Sequence, residues 1–277
     1  MMGYSVKFWG VRASIACPSP EHVIFGGNTS CVEINVGGHL IILDAGTGIR
    51  GLGKDVVRRG VKSATLLLTH THWDHINGFP FFAPAFDPTF SLRIMAGHMA
   101  DAPGGIRAVL AHQMENPTFP VPLSAMRGVM AYEDFHAGES LPLAEGVLLK
   151  TAALNHPNGA TGYRIEYGGV AVCYVTDTEH QPGRLDDNVV RLIDGADLVI
   201  YDSTYTDVEF PAKVGWGHST WQEGVRVCQA ASVKLLAIFH HDPDHVDSFM
   251  AGVEREAEAL WPGHTLVARD GLKLTML

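Results

Sequence analysis

Four apolar runs in this chain each end on a residue able to bind a metal ion. "ATLLLT" (64–69) leads into "HTHWDH" at 70–75, "LLKTAALN" (148–155) into His156, "VAVCYVT" (170–176) into Asp177, and "KLLAIF" (234–239) into His240, with His241 adjacent. The continuous run "ATLLLT" reads as a strand buried on both faces, "KLLAIF" as a buried strand, and the other two as strands. The coordinating side chains therefore gather where strands stop. This spacing matches a dinuclear site built at one edge of a sandwich of two sheets.

The other segments agree with that plan. "SCVEINV" and "HLIILDAG" flank the glycines at 37 and 38 as a hairpin, and "GYRIEYGGVAVCYVTDT" repeats the device across Gly168 and Gly169. "GTGIRGLGKDVVRRG" opens as a loop and continues as a helix with basic residues in its last turn and Gly60 as its stop. "GGIRAVLAHQM" and "HVDSFMAGVEREAEALW" have helical spacing, as does "STWQEGVRVCQAAS", with Ser219 as its expected cap. Residues 79–92, rich in proline and aromatics, are expected to form a loop wall. With 46% hydrophobic and 18% charged residues, a sizeable core can be buried. Each half holds hairpin strands followed by strand–helix units, and no linker separates them. The expected fold is α/β, two sheets face to face with helices outside, as one domain over 1–277. Cys31, Cys173 and Cys228 sit in apolar or amphipathic runs and are expected as buried free thiols. The N-terminus lacks a signal pattern and no apolar stretch is long enough to span a bilayer, so a cytoplasmic location and no membrane partner are expected.

His70 and His72 lie two apart, so at an extended strand end both rings project to one side. Asp74 and His75 follow at the start of a turn and can face a second point. Imidazole nitrogen and carboxylate oxygen suit Zn2+, and also Mn2+ or Fe2+; no thiolate is near. The motif "HTHWDH" then matches the H-x-H-x-D-H signature of the metallo-β-lactamase superfamily. "LDAGTG", "NHPNGATGYRI", "YVTDTEH" and "IFHHDP" fit that family in order, over nearly the whole chain. "YDSTYT" and "GHST" (217–220) resemble the phosphodiesterase branch, with the tRNA 3′-processing ribonuclease and its small-substrate relatives.

The resemblance implies a four-layer αββα sandwich holding two divalent metal ions, with Zn2+ preferred. His70, His72 and His156 would take one ion and Asp74, His75 and His240 the other, with Asp177 between them. It further implies that Asp74 orients an attacking hydroxide, that His218 protonates the leaving oxygen, and that Asp202 stands behind His218. Asp44 would support a ligand histidine or a loop amide. Asn28, Thr29 and Ser30 would line the cleft, and Trp73 would pack under the loop. His112, His136, His180 and His245 are read as surface histidines, the last two near enough to the motifs to touch substrate.

The tRNA-processing relatives carry a glycine-rich basic arm, for which residues 178–196 are too short and too acidic. A net charge of −10 also gives no field for a long polyanion. The expected substrate is a small phosphodiester such as a 3′,5′-cyclic nucleotide, with Phe79, Phe81, Phe82 and Phe86 available for stacking and a homodimer possible on the family's example. The competing readings are a tRNA 3′-processing endoribonuclease, an acyl hydrolase for lactones, β-lactams or thioesters, and a non-enzymatic metal-binding partner protein.

Overall fold

The computed structural model describes residues 3–277. In chain order its elements are β1 (Tyr4–Gly10), β2 (Cys31–Val36), β3 (His39–Leu43), α1 (Ile49–Arg59), β4 (Ser63–Leu68), the single-turn α2 (Trp73–Ile76), β5 (Ser91–Ala96), α3 (Gly105–Gln113) and β6 (Val129–Asp134). There follow β7 (Ser140–Ala144), β8 (Val147–Leu154), β9 (Ala160–Tyr167), β10 (Val170–Val175), α4 (Asp187–Ile193), β11 (Leu198–Asp202) and α5 (Trp221–Ala230). The chain ends with β12 (Leu236–Phe239), α6 (Asp247–Leu260), β13 (Thr265–Val267) and β14 (Lys273–Thr275).

Two seven-stranded sheets result, ordered β14-β1-β2-β3-β4-β5-β6 and β13-β12-β11-β10-β9-β8-β7. In each, antiparallel hairpins give way to parallel strands: β3 to β6 in the first, β10 to β13 in the second. The parallel strands are the continuous apolar runs of the sequence, because helices cover one face and the partner sheet the other. Phe8, Val32, Leu67, Tyr163, Tyr174, Ile200 and Phe239 form the layer between the sheets. Ile49, Leu52, Leu66 and Ile106 pack α1 and α3 on the first sheet, and Val189, Val225, Ile238 and Met250 pack α4, α5 and α6 on the second. The expected four-layer αββα order is thus the observed one.

Several elements were not expected from sequence. β6 is half exposed, and β7 is an edge strand carrying Pro142, so neither presents a clean apolar run. β14 crosses back to pair antiparallel with β1, Lys273 opposite Lys7, so the two halves are not separate sheets. Residues 79–92 contain two short 3-10 turns, Phe79–Phe81 and Ala83–Phe86. Phe79 and Phe82 are buried in the first sheet's outer core and cannot stack on a ligand, whereas Phe81 is exposed. The cap of α5 is Thr220, whose hydroxyl accepts the Glu223 N–H at 3.0 Å, and not Ser219. Ser219 instead meets the ring of His180 and the hydroxyl of Tyr201. Cys31, Cys173 and Cys228 are buried and free. No helix among the described residues is long and apolar enough to cross a membrane.

Candidate metal centre

Strand ends build the site. β3, β4, β10, β11 and β12 all stop at one edge of the sandwich, and the next residues bend over it. Asp44, Asp177 and His240 do so with left-handed backbone, at φ of 60°, 58° and 64°. For residues other than glycine this conformation costs on the order of 1–3 kcal/mol each and clusters at functional sites. After β4 the chain continues extended through His72, and α2 then turns Asp74, His75 and Ile76 inward, leaving Trp73 outside. Trp73 is 82% exposed, so it does not pack under the loop as expected. A single helical turn that points three consecutive residues at the core has no inward place for the fourth.

All seven predicted ligand side chains meet here. His156 Nε2 lies 3.0 Å from His72 Nδ1, and donor atoms of His70, His72 and His156 fall within 4.8 Å of one another. On the other side, His75 Nε2 is 3.2 Å from His240 Nε2, and each is 3.3 Å from Asp74 Oδ2. Asp177 stands between the two groups with its oxygens divided. Oδ2 faces His70 and His156 at 3.6 and 3.7 Å, while Oδ1 faces His75 and His240 at 3.2 and 3.4 Å. The adjacent His241 turns the opposite way and bonds the Ala268 carbonyl at 2.8 Å. Burial, then the neighbouring Arg12 cation, push its pKa down to about 3.

The donor set fits divalent cations. His70 Nε2 is buried with no hydrogen-bond partner, which is costly unless something coordinates it. Burial and the neighbouring His75 hold His70 well below the usual histidine range, so its lone pair is free to coordinate. Asp177 is also buried; although burial alone would raise its pKa, His240, His75 and His70 hold it well below the usual carboxylate range. Five imidazoles and two carboxylates within a few ångströms need shared positive charge, and nitrogen–oxygen sets of this kind suit Zn2+, Mn2+ or Fe2+.

Behind the donors stands a layer of orienting contacts. Asp44 Oδ2 meets His75 Nδ1 at 2.8 Å and also accepts the Tyr174 hydroxyl at 3.0 Å, while Oδ1 accepts the Thr69 N–H at 2.8 Å. His156 Nδ1 donates to the Gly217 carbonyl at 2.7 Å. His240 Nδ1 lies 3.1 Å from the Thr204 hydroxyl, which donates to Asp202 Oδ1 at 2.8 Å. The Ser14 N–H donates to Asp74 Oδ2 at 2.7 Å. Asp44 was foreseen in this role, but Ser14, Thr69, Tyr174, Thr204 and Gly217 were not, since their partners are remote in sequence.

Asp202 and His218 also come together. Asp202 Oδ2 accepts the Thr178 N–H at 3.0 Å and meets His218 Nδ1 at 3.1 Å. The His218 ring lies 5.4 Å from that of His156 and 5.1 Å from that of His240, so it overlooks both groups of donors. Burial disfavours its charged form, but Asp202, then Asp177 and Asp74, outweigh burial and raise it to about 9.

Other expected positions moved. Thr29 and Ser30 are fully buried and so do not line the cleft, whereas Asn28 is exposed and its side chain bonds Asp270. His112 and His136 are on the surface. His180 and His245 are buried: His180 stacks on Phe210 at 4.0 Å, and His245 meets Glu209 at 2.8 Å and stacks on Phe249. They fasten the segment that leads from Asp202 to His218.

The Beta-lactamase superfamily domain matches residues 39–241 of this sequence. The chain belongs to that superfamily. It is 23% identical to a protein named Ribonuclease Z from Haloarcula marismortui over 285 aligned residues, covering 89% of this chain and 90% of that one. Its fold is similar to that of the metallo-beta-lactamase fold protein YhfI from Bacillus subtilis, with a TM-score of 0.75, 18% identity, and 99% and 100% of the two chains covered. A diphosphatase from the PhnP family superposes with a TM-score of 0.68, 18% identity, and 98% and 97% coverage. Membership and the assembled donors make this protein a metal-dependent hydrolase.

Proposed function

We propose that His70, His72 and His156 hold one divalent cation, that Asp74, His75 and His240 hold a second, and that Asp177 bridges them in a phosphodiesterase for a small substrate. The observation that carries the reading is Asp177, whose two carboxylate oxygens each face a separate group of histidines. When bound, such a pair of cations supplies charge neutralisation at a phosphoryl group and a hydroxide nucleophile at neutral pH. Zn2+ is the preferred ion, with Mn2+ or Fe2+ accepted by the same donors.

The chain's own residues do the rest. Asp74, fixed by the Ser14 N–H, orients the nucleophile from its Oδ atoms. Asp202 engages His218 at Nδ1, so Nε2 is the nitrogen that carries the proton to the leaving oxygen. An acid of that kind is needed when the leaving group is an alkoxide and is dispensable when it is a phenolate. This pair favours phosphodiester over acyl hydrolysis. The relatives' names point the same way, one a ribonuclease and one a diphosphatase.

A small substrate, a 3′,5′-cyclic nucleotide for instance, suits the surface better than tRNA. Residues 178–196 make a tight Gln181–Arg184 bridge and then α4, which packs on β8, β9 and β10. Among the described residues they project no basic arm. The charge is −10 overall. Trp73 and Trp216, 82% and 60% exposed, offer aromatic faces beside His72 and Gly217 in place of the buried Phe79 and Phe82. The name carried by the ribonuclease relatives favours the second reading, a tRNA 3′-processing nuclease. The reading places the enzyme in the cytoplasm, which its buried free thiols suit.

One panel tests this. Protein with measured metal content is offered bis(p-nitrophenyl) phosphate, cyclic AMP and GMP, pre-tRNA, nitrocefin, a lactone and a glutathione thioester. Two metals per chain and turnover of the small phosphodiesters are expected. Acyl turnover alone would overturn the phosphodiesterase reading, and pre-tRNA turnover alone would select the second one.

A further inference from the structure

Glu179 lies two residues beyond Asp177 and belongs to neither group of donors. Its Oε2 accepts two backbone N–H groups, those of Gly215 and Gly217, each at 2.8 Å. Its own main chain is tied on both sides to Asn155: the Glu179 N–H donates to the Asn155 carbonyl at 2.8 Å, and the Glu179 carbonyl accepts the Asn155 side-chain amide at 2.7 Å. Asn155 immediately precedes His156, and Gly217 immediately precedes His218. Glu179 therefore joins the turn that carries a metal donor to the turn that carries the proton donor.

Gly217 closes the link. Its N–H goes to Glu179, while its carbonyl accepts the His156 Nδ1 proton at 2.7 Å. That bond leaves His156 Nε2 as the bare nitrogen directed at the other donors. Gly215 and Gly217 both have positive φ, at 89° and 85°, and a Cβ on Gly217 would fall 2.4 Å from His156 Nδ1. Glycine at both positions leaves those two backbones freer than any other residue would. Two hydrogen bonds to one side-chain oxygen hold the turn.

We infer that Glu179 is the positioning residue for both His156 and His218. It fixes the Gly215–Gly217 turn so that one imidazole keeps its coordinating tautomer and the other keeps its place beside Asp202. The His218 half of this inference rests on the proposed phosphodiesterase reading, whereas the His156 half rests on the metal site alone.

The experiment uses E179A, E179Q and E179D in the full chain, with Zn2+ and a competing chelator as the probe and thermal melting alongside. In E179A the affinity for one ion falls about 10- to 100-fold, as on loss of an orienting partner, while the other ion is held as in wild type. Turnover of an alkyl phosphodiester at saturating metal falls about tenfold or more, and that of bis(p-nitrophenyl) phosphate falls much less. E179Q presents an amide oxygen to the same two N–H groups and restores both properties. E179D, one methylene shorter, does not, and it substitutes for E179A if the alanine variant fails to fold. Wild-type affinity for both ions in E179A overturns the inference, as does an equal weakening of both ions that E179Q leaves unrescued. A wild-type enzyme inert on every phosphodiester overturns the reading of function, while the metal titration still decides Glu179.

Discussion

At the scale of the residue, His218 is where the proposed general acid is tested apart from the proposed metal donors. It touches Asp202 and stands over both donor groups, yet it sits in neither triad. Replacing it with alanine is expected to leave two metals bound and to lower kcat on an alkyl phosphodiester by about 10²–10⁴-fold, the usual yield of a positioned general acid. Bis(p-nitrophenyl) phosphate, whose leaving group needs no proton, should lose far less. Its pKa also makes a stability statement for the metal-free protein. Burial opposes the proton, but Asp202, Asp177 and Asp74 raise the group to about 9, above the roughly 6.5 of an unfolded histidine. A raised pKa contributes stability that is complete below about 6.5 and is lost as pH rises through about 9. Chelator-treated protein should therefore melt at progressively lower temperature from pH 7 to pH 10, and H218A should flatten that slope. A second residue-scale test is Asp44. It pins His75 Nδ1 while being held by Thr69 and Tyr174. D44N should weaken metal binding about 10- to 100-fold, read by chelator competition.

At the scale of the element, the segment between β11 and α5 decides where His218 sits. The start of α5 is fixed by Thr220, whose hydroxyl accepts the Glu223 N–H at 3.0 Å and donates to Asp207 at 2.7 Å. T220A should cost about 1 kcal/mol, the typical value of an N-cap, seen as a lower urea midpoint at unchanged slope. Elements were legible in the sequence in proportion to how fully they are buried. β4, β10, β11 and β12 announce themselves as apolar runs because helices and the partner sheet cover both faces. β6 and β7 do not, because a half-exposed edge strand has no pattern to show. Three donors were legible for the same reason: His70, Asp177 and His240 each stand first after a buried run. Their supports were not. Tyr174 reaches Asp44 across 130 positions and His156 reaches Gly217 across 61, and only the fold brings such partners together. Ser219 and Thr220 show the limit locally: both are good caps, and the choice was made by His180 and Tyr201, which occupy the serine.

At the scale of the whole molecule, the two sheets meet along an apolar layer and again at the metal centre, and the second contact is made of donors from both. His70 and His72 leave β4 in the first sheet, while His156 follows β8 in the second. Asp74 and His75 lie in α2 beyond β4, while His240 follows β12. Each proposed cation therefore takes ligands from both sheets and acts as a staple across the edge of the sandwich. Without cations the same edge gathers Asp44, Asp74, Asp177 and Asp202 in burial, with no cation to offset their combined charge beyond protons on the histidines and the hydrogen bonds from Ser14, Thr69, Tyr174, Thr178 and Thr204. Binding to the native state alone stabilises it by about 2.7 kcal/mol per site when the free ion is 100 times its dissociation constant. Chelation should therefore lower the melting temperature and raise amide exchange first at Thr69, Thr161, Asp177 and His240, where the strand ends lean on the centre. Readdition of Zn2+ should reverse both, in two steps if the ions bind with different affinity. Unchanged melting and exchange on chelation would mean that the apolar layer holds the sandwich alone and that the donors were never a staple.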